Sequence, residues 1–151
     1  MKTRQKLRGE EGAAAVEFAI VVSLLFVILF GIMEFGLAFF ELQNLRSAAR
    51  EGARTAAVNG NRTEIRDSLV AGASGSLPSS YGVGAYQVAV GGASTAATQP
   101  CDDDDAQGQE VKVTLPVSTL PSNVQSTFSV NIPFLPEIVL TPSIQGSFRC
   151  E

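Results

Sequence analysis

Residues 12–42, GAAAVEFAIVVSLLFVILFGIMEFGLAFFEL, carry only three ionisable side chains, Glu17, Glu34 and Glu41. Nothing is charged from Phe18 to Met33, and after Glu34 the apolar run resumes to Phe40. That stretch of about 23 residues makes roughly 34 Å of helix, enough to cross a bilayer. Its flanks decide what kind of segment it is. A cleaved secretory signal has an apolar core of roughly 7 to 15 residues followed by small residues at the cut. Here the small residues Gly12-Ala13-Ala14-Ala15 come first. The segment therefore reads as a membrane helix. Lys2, Arg4, Lys6 and Arg8 favour keeping the N-terminal tail in the cytoplasm, although Arg46, Arg50 and Arg54 on the other flank weaken the asymmetry.

With that helix set aside, roughly 110 of the 151 residues are left for a soluble part, enough for one small core. The 45% hydrophobic content, high beside 17% charge, is concentrated near the N-terminus. A net charge of -4, with no clustered Lys and Arg in the body of the chain, argues against a nucleic-acid partner. The absence of histidine excludes a Ser-His-Asp triad, a Cys-His pair and a histidine-bound metal. No phosphate-cradling loop and no paired acid and base carboxylates stand on a regular element, so neither an enzyme nor a cofactor is predicted. The acidic run Asp102-Asp103-Asp104-Asp105 lacks the calcium-loop pattern, since Gln107 stands at position six and Val113 at position twelve. It reads as a solvated loop, and no metal site is predicted.

Cys101 and Cys150 lie outside the apolar segment, 49 residues apart. Two thiols make neither a zinc site nor a redox C-x-x-C motif. A disulfide is the simplest assignment if the domain lies in an oxidising compartment, and two buried free thiols are the alternative.

Glu17 sits one turn into the apolar helix, where a carboxylate costs about 2.5 to 3.5 kcal/mol unless it reaches the surface or meets a partner. Were the chain cut after Gly12, the new amino group of Ala13 would lie four residues before Glu17 on the same helix face. The pair can neutralise each other within one chain, or between neighbours, where it would set the register of packed helices. The plainer reading makes Glu17 a marker of the membrane surface. Glu34 lies about 26 Å further along the axis and about 100° around it. It is either an interfacial marker near the outer boundary or a contact to a neighbouring helix.

Beyond Leu42 the helical pattern continues with Ala48, Ala49, Gly52, Ala53, Ala56 and Ala57, small residues that allow close approach of another element. Arg46, Arg50 and Arg54 form a cationic stripe that suits lipid headgroups, a partner carboxylate, or simply solvent, with Glu51 available to Arg54. Asn59-Gly60 signals a turn, and Asn61 with Glu64 caps a second helix that carries Ile65 and Leu69 and ends near Gly72. A Gly, Ser and Pro-rich connector follows. Alternation then predicts strands around Tyr86, Val88 and Val90; around Val111, Val113 and Leu115; and around Phe128, Val130 and Ile132 between Thr127 and Asn131. Short edge strands are expected at 138–140 and 144–148, with Pro133, Pro136 and Pro142 as interruptions.

The basic tail, Gly12, four apolar residues, Glu17-Phe18 and the long apolar helix resemble the class III signal of type IV pilin-like proteins. The stretch from Gly12 to Val58, with Glu34-Phe35-Gly36 and Ala48-Ala49-Arg50-Glu51-Gly52-Ala53-Arg54, further resembles the TadE-like family, minor pseudopilins of tight-adherence pilus systems. The likeness covers about a third of the chain. It implies cutting by a prepilin peptidase between Gly12 and Ala13, and Glu17 and Phe18 setting assembly register. Glu34, Gly36, Arg46, Arg50 and Arg54 are candidate helix-packing or partner contacts. Where the family often carries a proline in the membrane helix this chain has Ser23, so a straighter helix is expected.

The expected architecture is α+β: a long N-terminal transmembrane helix continuing into a pilin-like domain with a small antiparallel β-sheet. The divisions are a cleaved leader at 1–12, a membrane helix at 13–42, an outer helical segment at 43–72, a linker at 73–85, and a disulfide-bearing β-rich domain at 86–151. The implied role is a structural subunit at the bacterial inner membrane, with the N-terminus in the cytoplasm and the domain outside. Its expected partners are the peptidase, other pilins or pseudopilins, and lipid, and it is expected to form homo- or hetero-oligomers. The alternative is an unprocessed single-pass scaffold or binding protein of the assembly machinery.

Overall fold

One helix, α1, runs without interruption from Leu7 to Ala57. The computed structural model describes residues 7–120, 128–130, 138–140 and 142–151, with side chains over 12–120 and 142–151. No proline interrupts α1, and at Ser23 the hydroxyl donates to the Ala19 carbonyl one turn back, at 2.8 Å, leaving the helix unbroken. The helix ends where Asn59 takes a left-handed φ of 60°, and the Gly60 amide donates to the Thr55 carbonyl at 2.9 Å. This is the Schellman closure, which satisfies a carbonyl the helix leaves open.

The two halves of α1 meet different surroundings. From Ala13 to Leu37 the apolar side chains point outward on all sides and the rest of the protein covers almost none of them. These 25 residues span about 37 Å, long and apolar enough to cross a membrane. Beginning at Ala38, one stripe is buried: Ala38, Leu42, Leu45, Ala49, Ala53 and Ala56, at the three- and four-residue spacing of a helix face. Ala38 and Leu42 fall within the stretch expected to cross the membrane, yet they lie under the C-terminal domain.

The second helix, α2, spans Arg62–Gly72 and begins with the expected capping box. Asn61 accepts from the Thr63 and Glu64 amides while the Glu64 carboxylate accepts from the Asn61 amide. Ile65 and Leu69 face α1, and a Cβ at Gly52 would stand 2.7 Å from Leu69 Cδ2. The small residues of α1 therefore serve the close approach that their sequence suggested. The irregular stretch after α2 turns Ala73, Leu77 and Tyr81 into the same core.

A four-stranded antiparallel sheet packs on a neighbouring face of α1, against Ala49. Its strands are β1 (Gln87–Val90), β2 (Ala93–Thr95), β3 (Glu110–Leu115) and β6 (Ile144–Arg149), in the order β2-β1-β3-β6. Val88 pairs with Val113, and Val113 with Gly146. Val88, Val111, Val113, Leu115 and Ile144 are buried. β6 is the end strand, as expected of an edge. At Gly146 the helix comes so close that an added Cβ would collide with the Ala49 carbonyl and the Arg50 nitrogen.

Three details differ from the sequence reading. Tyr86 precedes β1 rather than lying in it. β2 was not anticipated, because Ala-Ser-Thr has no apolar alternation. Its signal was Gly91-Gly92, whose φ values of 58° and 87° fit a two-residue hairpin turn. Finally, β4 (Phe128–Val130) and β5 (Ile138–Leu140) pair with each other as a separate two-stranded unit. Thr127, Asn131, Ile132, Pro133 and Pro136 lie outside the described residues.

Candidate functional site

The features singled out in the sequence lie along α1. Gly12, Ala13, Glu17 and Phe18 are exposed in its first turns, Phe18 to 69%. Ala13 and Glu17 are four residues apart in unbroken helix, so they share a face. Glu34 and Gly36 are exposed just before Ala38, the first residue the C-terminal domain covers. Among the described residues nothing lies within 4 Å of a Cβ added at Gly36. Glu34 is one turn before Ala38 and on the same side of the helix, immediately below the rim of the domain.

Higher on α1 the arginine stripe divides. Arg54 pairs with Glu51, Nη2 to Oε1 at 2.6 Å and Nε to Oε2 at 3.1 Å. This bond holds the Glu51 carboxyl below its usual range and raises the Arg54 guanidinium. Arg46 and Arg50 form no ion pair among the described residues. Arg50 instead opens onto a recess of about 440 Å³ that it shares with Glu110, Lys112, Gln145, Ser147 and Phe148. Lys112 and Glu110 were missed in the sequence reading because only the packing of α1 beside β3 and β6 brings them to Arg50.

Cys101 and Cys150 are joined, with Cα atoms 5.4 Å apart and both residues buried. The Cys150 amide donates to Gln109 O at 2.9 Å, and the Glu151 amide donates to Ala57 O at 3.1 Å. The bridge therefore draws the Asp102–Asp105 loop and the end of β6 to the last turn of α1. A second lock stands at the start of α2. Arg62 donates to the Thr95 and Ala97 carbonyls and lies 5.7 Å over the Tyr86 ring, and the Tyr86 hydroxyl donates to the Arg62 carbonyl at 2.5 Å. Burial pushes the Tyr86 phenol up to about 12, against a partial lowering by the Arg62 charge. Among the described residues, no three His, Cys, Asp or Glu side chains gather to hold a metal ion.

The decisive stretch thus runs from the exposed Gly12, through the outward-facing apolar half of α1, to the Arg54–Glu51 pair. Residues 12–54 match the family model for TadE-like protein. The match takes in the apolar half of α1 and most of the half packed under the domain, and it leaves α2 and both sheets outside. No curated protein and no solved structure matches the chain significantly. The TadE-like segment points to a pilin-like protein associated with the Tad pilus, a family of structural rather than enzymatic components.

Proposed function

We propose that this chain is a minor pilin-like subunit of a bacterial tight-adherence pilus and secretion apparatus. It enters the inner membrane with residues 1–12 in the cytoplasm, is cut after Gly12 by a prepilin peptidase, and assembles through α1 beside other pilins. The observation that carries this reading is the TadE-like match on a helix whose apolar half faces outward on every side while its other half carries a folded domain. A soluble protein does not leave a 25-residue stretch this apolar uncovered. Lipid covers them before assembly and neighbouring helices cover them afterwards. In this reading Glu17 meets the Ala13 amine of its own or a neighbouring chain, and Phe18 packs beside it.

Cutting removes four cations and two acids, so the net charge moves from -4 to -6. The test is the intact mass of the chain from a host carrying its own peptidase. A mass beginning at Ala13 supports the proposal. Retention of residues 1–12, with the chain confined to the inner membrane, leaves the unprocessed scaffold as the better account.

A further inference from the structure

The cations of α1 and the acids above them are placed so that one copy of the chain offers what the next lacks. The recess beside Arg50 also holds Lys112, and neither cation has an ion-pair partner among the described residues. Glu110, the one acid lining the recess among the described residues, stands directly across the β3–β6 register from Arg149, where opposite charges favour one another. Arg50 and Lys112 against Glu110 thus leave the recess with an excess of positive charge, with Gln145, Ser147 and the 42%-exposed Phe148 along β6.

The complementary charge is on the same chain but at another height. Asp102, Asp103, Asp104 and Asp105 are all exposed and form no ion pair among the described residues. The Cys101–Cys150 bridge and the Glu151–Ala57 hydrogen bond hold this loop at the end of α1. Arg50 is seven residues earlier, about 10 Å lower along the axis. Among the described residues, no ion pair joins the two surfaces within one protomer. A parallel second copy displaced by about 10 Å or a little more along α1 brings its Arg50 and Lys112 level with the first copy's acidic loop.

We infer that copies of this chain stack through the Asp102–Asp105 loop of one protomer entering the Arg50–Lys112 recess of the next. The contact is heterologous, so a pair leaves one recess and one acidic loop free, and the arrangement propagates rather than closing as a two-fold dimer. A lipid headgroup is the poorer occupant. Arg50 lies ten residues, about 15 Å, past Phe40, the end of the apolar run, which is beyond the reach of its side chain. Two copies at equal depth in a flat membrane miss this contact by the same 10 Å. It therefore forms when one copy is lifted relative to the other, and in this respect the inference rests on the proposed pilin role.

The test places a photo-crosslinking amino acid at Ser147 in the full chain, coexpressed with a differently tagged copy in a host with the apparatus. Membrane and sheared-fibre fractions are then analysed by peptide mass. The expected result is a crosslink in the fibre fraction between position 147 and the peptide carrying Asp102–Asp105. The double variant Arg50→Glu, Lys112→Glu should lower its yield about tenfold or more, since like charges now face each other. Asp103→Lys with Asp104→Lys in the partner copy should restore it, which shows that the first variant still folds. If processed protein is present in fibres but the crosslink is absent, maps elsewhere, or ignores charge reversal, the stacking contact is wrong and the pilin role stands. If the chain stays unprocessed in the membrane and never reaches fibres, both fall.

Discussion

Gly146 lies directly against the Ala49 carbonyl, with no room between β6 and α1 for a side chain. The contact sets how closely the end strand approaches the helix, and therefore where Arg50 stands over the recess. Gly146→Ala must push the strand away from backbone atoms that cannot yield, and overpacking of this kind costs about 1 to 3 kcal/mol. Gly52→Ala meets side-chain atoms only, Leu69 Cδ2 at 2.7 Å and Cγ at 2.9 Å with Ile65 Cγ2 at 3.7 Å, which shift more readily than backbone, and the gain in helix propensity of about 1 kcal/mol offsets part of the strain. Gly146→Ala should be the more damaging of the two. Tyr81 and Tyr86 are the only tyrosines, both are buried in the core shared by α1, α2 and the sheet, and the chain has no tryptophan, so tyrosine fluorescence during urea unfolding reports this core alone. Equal midpoints for the two variants would contradict the packing account.

The Cys101–Cys150 bridge closes a 49-residue separation. In the chain-entropy model such a loop contributes about 4 kcal/mol, a large share of what a domain of this size holds. Cys101→Ser, or reduction of the parent, should lower the tyrosine-monitored urea midpoint markedly and release the acidic loop from the end of α1. A midpoint that reduction leaves unchanged would show the bridge to be dispensable.

Tyr86 predicts an alkaline limit. Its phenol is raised in the folded protein to about 12, chiefly by burial, against an ordinary value of 10.0. The neutral form is favoured by folding, so its contribution is intact below about pH 10 and is lost as pH climbs through 12. Tyrosinate absorbance should therefore develop late and together with unfolding of the domain. Tyr86→Phe should remove that residue's share of the alkaline loss, while giving up the hydrogen bond to the Arg62 carbonyl at neutral pH, a cost of about 1 kcal/mol. Early, reversible ionisation of both tyrosines with the domain still folded would contradict this.

The legible parts of the sequence are those whose physics is local. Asn61 and Glu64 announce a capping box because both partners lie within one turn. Asn59-Gly60 announces the helix stop, and β1 and β3 show as alternation because each buries one face. The membrane-length helix shows as absence of charge. The illegible parts are relationships between elements. Nothing in Ala93-Ser94-Thr95 marks a strand except the glycine pair before it, and pairing of β4 with β5 apart from the main sheet depends on long-range geometry. The recess beside Arg50 needs β3, β6 and α1 together, so Lys112 gave no sign in the sequence that it belonged with an arginine 62 residues earlier.

The central claim is that α1 is an assembly helix in which Glu17 meets an amino terminus created at Ala13. The most direct measurement is the amount of Glu17→Gln chain recovered in sheared fibres relative to the parent, with intact mass reporting cleavage in the same samples. The account predicts a Gln variant that is made, is cut after Gly12, and is strongly depleted from fibres. Incorporation equal to the parent's would contradict it.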